Sequence, residues 1–200
     1  TYTYAADGTK LRVEHKIGGS TTQTTYCSNV IYEDGTAKCL LTEEGYVSLD
    51  DREYHYYLKD HQGNNRVLVN KNGGVEEINH YYPFGGVFAS EENVQPYKYN
   101  GKELDAKKGL NWYDYGARRY DVALGRWHVV DPMAEKYCSM TPYAYCLNNP
   151  INGVDYQGKL VIFINGFHSG SGGTSKYWGG FDIMAMNILN DNKYLYKDGL

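Results

Sequence analysis

The stretch Tyr97-Lys-Tyr-Asn-Gly-Lys-Glu-Leu104, followed by Gly109-Leu-Asn-Trp-Tyr-Asp-Tyr-Gly-Ala-Arg-Arg-Tyr-Asp121 and Leu124-Gly-Arg-Trp-His-Val-Val-Asp-Pro132, decides the fold. Aromatic and β-branched residues stand in brief runs, each bounded by Gly, Asn or Asp, the pattern of short strands joined by tight turns. Residues 109–116 and 117–121 read as two such strands, and residues 121–126 turn into a third that begins at Trp127. Trp112 and Trp127 lie in aromatic strands bounded by glycine turns and are expected to be buried anchors. Asp131 then reads as the N-cap of a short helix over Met133-Ala-Glu-Lys-Tyr137, with Pro132 at its first position. Downstream, Asp155-Tyr-Gln-Gly158 fits a type I turn, with Asp first and Gly fourth.

The same motifs continue in fixed order through Pro142-Tyr-Ala-Tyr145, Asn148-Asn-Pro-Ile-Asn152 and Asp155-Tyr-Gln-Gly158. Together they resemble the RHS repeat-associated core domain over roughly residues 80 to 160. Tyr81-Tyr-Pro-Phe-Gly-Gly86 is similar to the family's Y-x-P-F-G element, and its Pro, unable to donate to a ladder, is expected to break a preceding series of hairpins. The resemblance implies a domain that closes the β-shell of RHS/YD-repeat proteins, many of them bacterial toxins. In relatives that cleave themselves, two aspartates form an aspartyl-protease-like pair that cuts the chain just before a variable toxic C-terminus. Carried over, the pair is Asp131 and Asp155, with Arg126 as supporting cation and Leu160–Val161 as the scissile bond. Two close carboxylates do not both ionise cheaply, so one keeps a proton to polarise the carbonyl while the other activates water. Such a pair titrates as a unit. One departure stands at Tyr156, where the family pattern has Pro, so the turn presenting the scissile segment lacks a fixed φ.

Upstream, Tyr2-Thr-Tyr-Ala-Ala-Asp-Gly8, Val30-Ile-Tyr-Glu-Asp-Gly35 and Tyr54-His-Tyr-Tyr-Leu-Lys-Asp-His-Gln-Gly63 each place aromatic or β-branched residues before an Asp and a Gly. The glycines lie 27 and 28 residues apart. Each unit reads as a strand entering a turn in which Asp accepts local backbone hydrogen bonds and Gly takes a positive φ. Asn72-Gly73 supplies a further hairpin signal. The array resembles the YD repeats of the same family, although a generic β-meander would space its turns similarly.

Composition sets bounds on function. The net charge of −4, with Lys and Arg scattered, provides no basic field for a phosphate backbone, so no nucleic-acid partner is expected through this portion. The 22 Tyr against 5 Phe suit long β-surfaces on which rings pack while hydroxyls reach water or carbonyls. Cys27, Cys39, Cys138 and Cys146 show no C-x-x-C spacing; Cys27 and Cys39 are placed to meet across a hairpin, or all four are plain thiols. The six His lack ligand spacing, so neither metal nor cofactor is expected. The longest apolar run, Leu160-Val-Ile-Phe-Ile164, is a strand's length and predicts no transmembrane segment. A chain that starts at Thr1 without Met is expected to be a piece of something larger.

Beyond Lys159 a strand signal is followed by the loop Gly166-Phe-His-Ser-Gly-Ser-Gly-Gly173, and then by Phe181, Met184, Ala185, Ile188 and Leu189 at helical spacing. Strand, loop and helix in that order open many α/β domains. Neither a Walker motif nor a G-x-S-x-G elbow is present; Gly166, Phe167 and His168 resemble the oxyanion loop of lipase-like hydrolases. The expected architecture is therefore mainly β: YD-type hairpins over residues 1–80, an RHS core domain over 81–160, and the start of an α/β effector from residue 161. The expected function is a secreted or surface-borne bacterial toxin segment that encloses its own effector as cargo and frees it by single-turnover self-cleavage, with an immunity protein as further partner. Two other readings stand beside it: a non-cleaving adhesion or carbohydrate-binding module with exposed aromatics as stacking platforms, and a lipase-like hydrolase whose catalytic part is missing.

Overall fold

The computed structural model describes residues 1–163 apart from 7, 92–93 and 137–139. Ten strands, β1 (Tyr2–Tyr4), β2 (Lys10–Ile17), β3 (Ser20–Cys27), β4 (Val30–Glu33), β5 (Thr36–Leu41), β6 (Gly45–Ser48), β7 (Tyr54–Lys59), β8 (Asn65–Asn70), β9 (Val75–Tyr81) and β10 (Val87–Glu91), form one antiparallel sheet in sequence order. A second sheet holds β11 (Glu103–Asp105), β12 (Trp112–Asp114), β13 (Arg119–Asp121) and β14 (Arg126–Trp127); β15 (Gly153–Tyr156) and β16 (Leu160–Phe163) pair as a separate hairpin. The mainly β architecture expected from the sequence is thus observed.

The turn glycines explain the meander. Gly8, Gly35 and Gly63 all have positive φ, at 86°, 83° and 76°. They follow β1, β4 and β7, so each interval read in the sequence holds three strands. A register shift accompanies the first hairpin of each set, at Thr3/Tyr4, Ile31/Tyr32 and Leu58/Lys59. In the third turn Asp60 accepts the N–H groups of Gln62 at 3.0 Å and Asn64 at 3.1 Å, as a turn aspartate should. Two expectations are corrected here. Residues 81–86 do not break the hairpins: they form a hairpin turn between β9 and β10, in which Gly85 N–H donates to Tyr82 O at 2.8 Å and Pro83 occupies a position that needs no donor. Nor do Cys27 and Cys39 meet, because β4 runs between them and Cys27 faces Val30 while Cys39 faces Ile31 and Ser48. Both thiols are free.

One face of the large sheet is covered by the second sheet and by the segment leading into it. Lys10 Nζ lies 2.6 Å from Glu103 and 2.8 Å from Asp114, and Tyr26 OH donates to Glu103 at 2.6 Å. Tyr2 OH donates to Asp105 at 2.5 Å, and His15 Nε2 lies 3.0 Å from the same oxygen. Where the layers meet, Tyr81, Tyr99, Tyr113, Tyr115, Tyr120, Trp127, Tyr145 and Cys146 pack as a single aromatic core. Its hydroxyls have specific acceptors. Tyr99, Tyr120 and Tyr113 donate to the successive carbonyls of Pro83, Phe84 and Gly85, at 2.8, 2.8 and 3.2 Å. Tyr115 and Tyr145 share Asn100 Oδ1, at 2.6 and 2.8 Å. A Cβ on Gly85 would stand 2.6 Å from the Tyr99 ring, so this turn admits glycine alone.

Trp127, 3% exposed, is the buried anchor the sequence predicts. Trp112 is not: it is half-buried, with its ring 4.1 Å from that of the exposed His128, because the alternation along β12 gives the core to Tyr113. Trp127→Ala is therefore expected to cost about 3–5 kcal/mol in chemical denaturation, with Trp112→Ala well below it.

Acid should loosen the junction between the two sheets. Burial alone would push Asp105 up, but hydrogen bonds from Tyr2 and His15 hold its carboxyl below the ordinary range. Asp60 is likewise held down, against its burial, by Asn64 and Arg66. A carboxyl whose folded pKa lies below its unfolded one contributes stability that is complete above the unfolded value and is lost as pH falls through the folded one. Thermal melts from neutral pH downward should accordingly stay level until about pH 4 and fall below it. Asp105→Asn should lower the neutral plateau and shallow the acid decline; an unchanged decline would place the sensitivity elsewhere.

Candidate functional site

Arg118 stands immediately before β13 and turns inward, with a side chain 1% exposed. Its guanidinium lies over the Trp127 ring, 4.2 Å from the centroid, and Nε donates to Gly158 O at 2.6 Å. Nη1 reaches Pro142 O at 3.4 Å. Nη2 stands 2.9 Å from Asp131 Oδ2 and also 2.9 Å from Asp155 Oδ2. Two carboxylate oxygens on one nitrogen are no farther apart than twice that distance, so the aspartates read from the sequence as a pair do come together.

Each aspartate is placed by a different device. Asp131 accepts Met133 N–H on Oδ1 at 2.8 Å, while its own N–H donates to Pro142 O at 3.0 Å. The cap expected from Asp-Pro is therefore present, opening a single 3₁₀ turn at Ala134–Lys136 rather than an α-helix. Asp155, 1% exposed, lies within β15 and faces Val161 of β16, with Tyr156 facing Leu160. The type I turn expected over 155–158 is corrected by one position. Asp155 and Tyr156 are strand, and the bend falls on Gln157 and Gly158, with φ of 57° and 68°. Gly158 is needed there, since a Cβ would come 3.1 Å from the Arg118 backbone nitrogen.

The cation at the pair is Arg118, and Arg126 stands elsewhere. Arg126 is exposed on β14, opposite Asp121, because Trp127 next to it takes the buried side of the strand. Leu160 and Val161 form the first step of β16, and the Val161 side chain packs against the aromatic core. A cavity of about 20 Å³, room for one water, lies between Asp131, Pro142, Leu147 and Val161. Leu147 on its wall has a positive φ of 53°, between Cys146 at 46° and Asn148 at 60°. Burial, and with it the negative field of Asp155, pushes the Cys146 thiol up and leaves it an inert packing group. Among the described residues no three His, Cys, Asp or Glu side chains gather as a metal site, and no helix is long and apolar enough to cross a membrane. Gly166, Phe167 and His168 lie outside the described residues.

Chemically, the cluster is a pair of carboxylates made compatible by one guanidinium, beside a water-sized space and a strand that passes directly across. Sequence reasoning missed Arg118. The signal was the doubled arginine of Ala117-Arg-Arg-Tyr-Asp121: alternation along a strand sends one arginine inward, and Arg119 takes the other side, 2.7 Å from Tyr4 OH.

No family model matches the chain. It is 34% identical over 116 residues to salivary gland surface protein 1 of Aedes aegypti, a match covering 56% of this chain and 3% of that protein. It is 33% identical over 111 residues to toxin subunit YenC1 of Yersinia entomophaga, covering 52% of this chain and 11% of the subunit. The chain thus spans a small fraction of the curated relatives it matches. Among solved structures it resembles the TcdB2-TccC3-Cdc42 complex, with a TM-score of 0.66 at 24% identity over 79% of this chain and 9% of that one. TcdB2-TccC3 without its hypervariable C-terminal region gives 0.66 at 22%, over 78% and 9%. The Photorhabdus luminescens Tc holotoxin pore, carrying TccC3 with an aspartate replaced by alanine, gives 0.67 at 23%, over 84% and 9%. The fold described above is shared with these toxin structures.

Replacing Arg118 tests the cluster directly. Arg118→Met leaves the buried Asp155 and the partly buried Asp131 facing each other and is expected to cost about 3–5 kcal/mol in urea unfolding. Arg118→Lys should recover only part of this, because an ammonium cannot serve two carboxylates, two carbonyls and an indole face at once. Arg126→Ala, at an exposed position, should stay within about 0.5 kcal/mol of wild type.

Proposed function

We propose that this chain is the closing segment of an RHS-type toxin shell, with repeats over residues 1–80 and a core over 81–160, and that Asp131 and Asp155 hydrolyse its own Leu160–Val161 bond. The observation that carries the reading is the convergence of these two aspartates on Arg118, with Asp155 in register opposite Val161. The cavity beside Asp131 has room for the attacking water. One carboxylate takes a proton from that water as its oxygen adds to the Leu160 carbonyl carbon. The proton held by the pair passes to the Val161 nitrogen, and the C–N bond breaks to leave a carboxyl at Leu160 and a new amine at Val161. Arg118 limits the repulsion that would otherwise part the carboxylates. Because the substrate is a neighbouring strand, proximity is built in and one turnover suffices.

Freed in this way, the segment from residue 161 onward is the cargo: an effector enclosed by the shell in a secreted or surface-borne toxin, whose producer would need an immunity protein against it. The likeness to YenC1 and to the TccC3 structures supports this reading, and one of those structures lacks a hypervariable C-terminal region, the place the cargo takes here. A second reading, a non-cleaving adhesion module, is favoured by Tyr54 and Tyr56. Both are exposed on β7 with stacked rings 6.4 Å apart, suited to a sugar face.

Intact mass spectrometry separates the two. Self-cleavage gives a product ending at Leu160, while Asp131→Asn and Asp155→Asn should each leave the chain whole with an unchanged far-ultraviolet β signal. Folded wild-type protein that stays whole through prolonged incubation would sink the proposal and favour adhesion.

A further inference from the structure

A second buried cluster lies away from these aspartates, where residues 94–98 cross the covered face of the large sheet. Glu77 and Asn79 are two residues apart on β9 and so share a face. Lys98 reaches them from above, its backbone tied down by Asn65 N–H to Lys98 O at 3.1 Å and by Lys98 N–H to Lys102 O at 2.9 Å. The Glu77 and Lys98 side chains are 0% and 2% exposed, and Asn79 is 1% exposed. Lys98 Nζ and Asn79 Nδ2 both donate to the same oxygen, Glu77 Oε1. The other oxygen, Oε2, is fixed by Val94 N–H at 2.8 Å and Gln95 N–H at 3.4 Å.

We propose that Lys98 and Asn79 become joined by an intramolecular isopeptide bond, with Glu77 as the acid–base catalyst. An amine, a carboxamide and a carboxylate are the three groups that reaction needs. Two nitrogens on one oxygen lie within about 6 Å of each other, so a rotamer change brings the amine to the amide carbon. Escape of the ammonia to solvent draws the exchange forward, and the Glu77 carboxylate left behind keeps its bonds from Val94 N–H, Gln95 N–H and Gln95 Nε2. Burial pulls the Lys98 ammonium below its ordinary range in spite of Glu77 beside it, favouring the free amine that must attack.

The atoms balance without a co-reactant. Lys98 gives a proton to Glu77, and its Nζ lone pair adds to Asn79 Cγ. Glu77 returns the proton to Nδ2, the Cγ–Nδ2 bond breaks, and the nitrogen leaves with the remaining displaced proton as ammonium, restoring the Glu77 carboxylate. Fixed neighbours replace the encounter that makes amide exchange slow in water. The bond would fasten the segment that leads into the second sheet covalently to β9.

The test is the mass of the folded chain, or of its 1–160 product where self-cleavage has occurred, measured against the sequence mass of that same species, followed by digestion after Glu91, which separates Asn79 from Lys98 in sequence. The expected result is a mass short by one ammonia and a single species in which the two peptides remain joined. Glu77→Gln and Lys98→Met should each restore the full mass, and retained β signal in either variant separates lost chemistry from lost fold. Folded wild-type protein at its full sequence mass, yielding two separate peptides, overturns the proposal whatever the variants do. So does an ammonia loss that maps to an Asn-Gly step such as Asn72-Gly73.

Discussion

One guanidinium sets the geometry on which the lower half of the molecule depends. Arg118 is stacked on Trp127, bonded to the turn at Gly158 and shared by Asp131 and Asp155, so the stretches 127–131 and 155–158 are tied to a single planar group. Such an arrangement tolerates little variation. A carboxylate taken from water is costly unless its lone pairs are met, and a second one beside it is costlier still. The cation resolves both, and in doing so fixes the β15–β16 hairpin against the aromatic core. The consequence for chemistry is that whatever the carboxylates do, they do at a defined separation and beside a strand that cannot drift.

The core above it follows a different rule. A dry core of Leu and Ile fits by shape alone, whereas this one is built of tyrosines whose hydroxyls must each find an acceptor. Three of them read three consecutive carbonyls of one turn, and two more meet on the amide of Asn100. Burial pushes the Tyr115 and Tyr145 hydroxyls well above their ordinary range, so they act as donors at any physiological pH. The resulting packing is directional. Phe at any of these positions would leave a buried acceptor unanswered.

Much of this was legible in the residues themselves. Strand and turn alternate with a period the eye can follow, the Asp and Gly of the turns announce positive φ, and the motifs that resemble an RHS core domain single out Asp131 and Asp155. What was not legible depends on facing. Which of Arg118, Arg119 and Arg126 turns inward is a matter of strand parity, and a shift of one position in a turn, as at residues 155–158, exchanges buried for exposed. Trp112 failed as an anchor for the same reason. The Glu77–Asn79–Lys98 cluster was invisible because its members are common residue types brought together only by a segment crossing the sheet.

The meander has an odd number of strands in each interval between its Asp-Gly turns. Adjacent strands alternate in direction, so β1 and β7 run one way and β4 the other. The turns at Gly8 and Gly63 therefore sit on one rim of the sheet and the turn at Gly35 on the opposite rim. The unit that repeats in space is two sequence intervals long, six strands, and the intervals are related by reversal rather than by simple translation. Loss or gain of one interval would deliver the preceding chain to the wrong rim, while loss or gain of two would leave the approach unchanged. A protein of this build is free to lengthen or shorten its wall, but only in pairs.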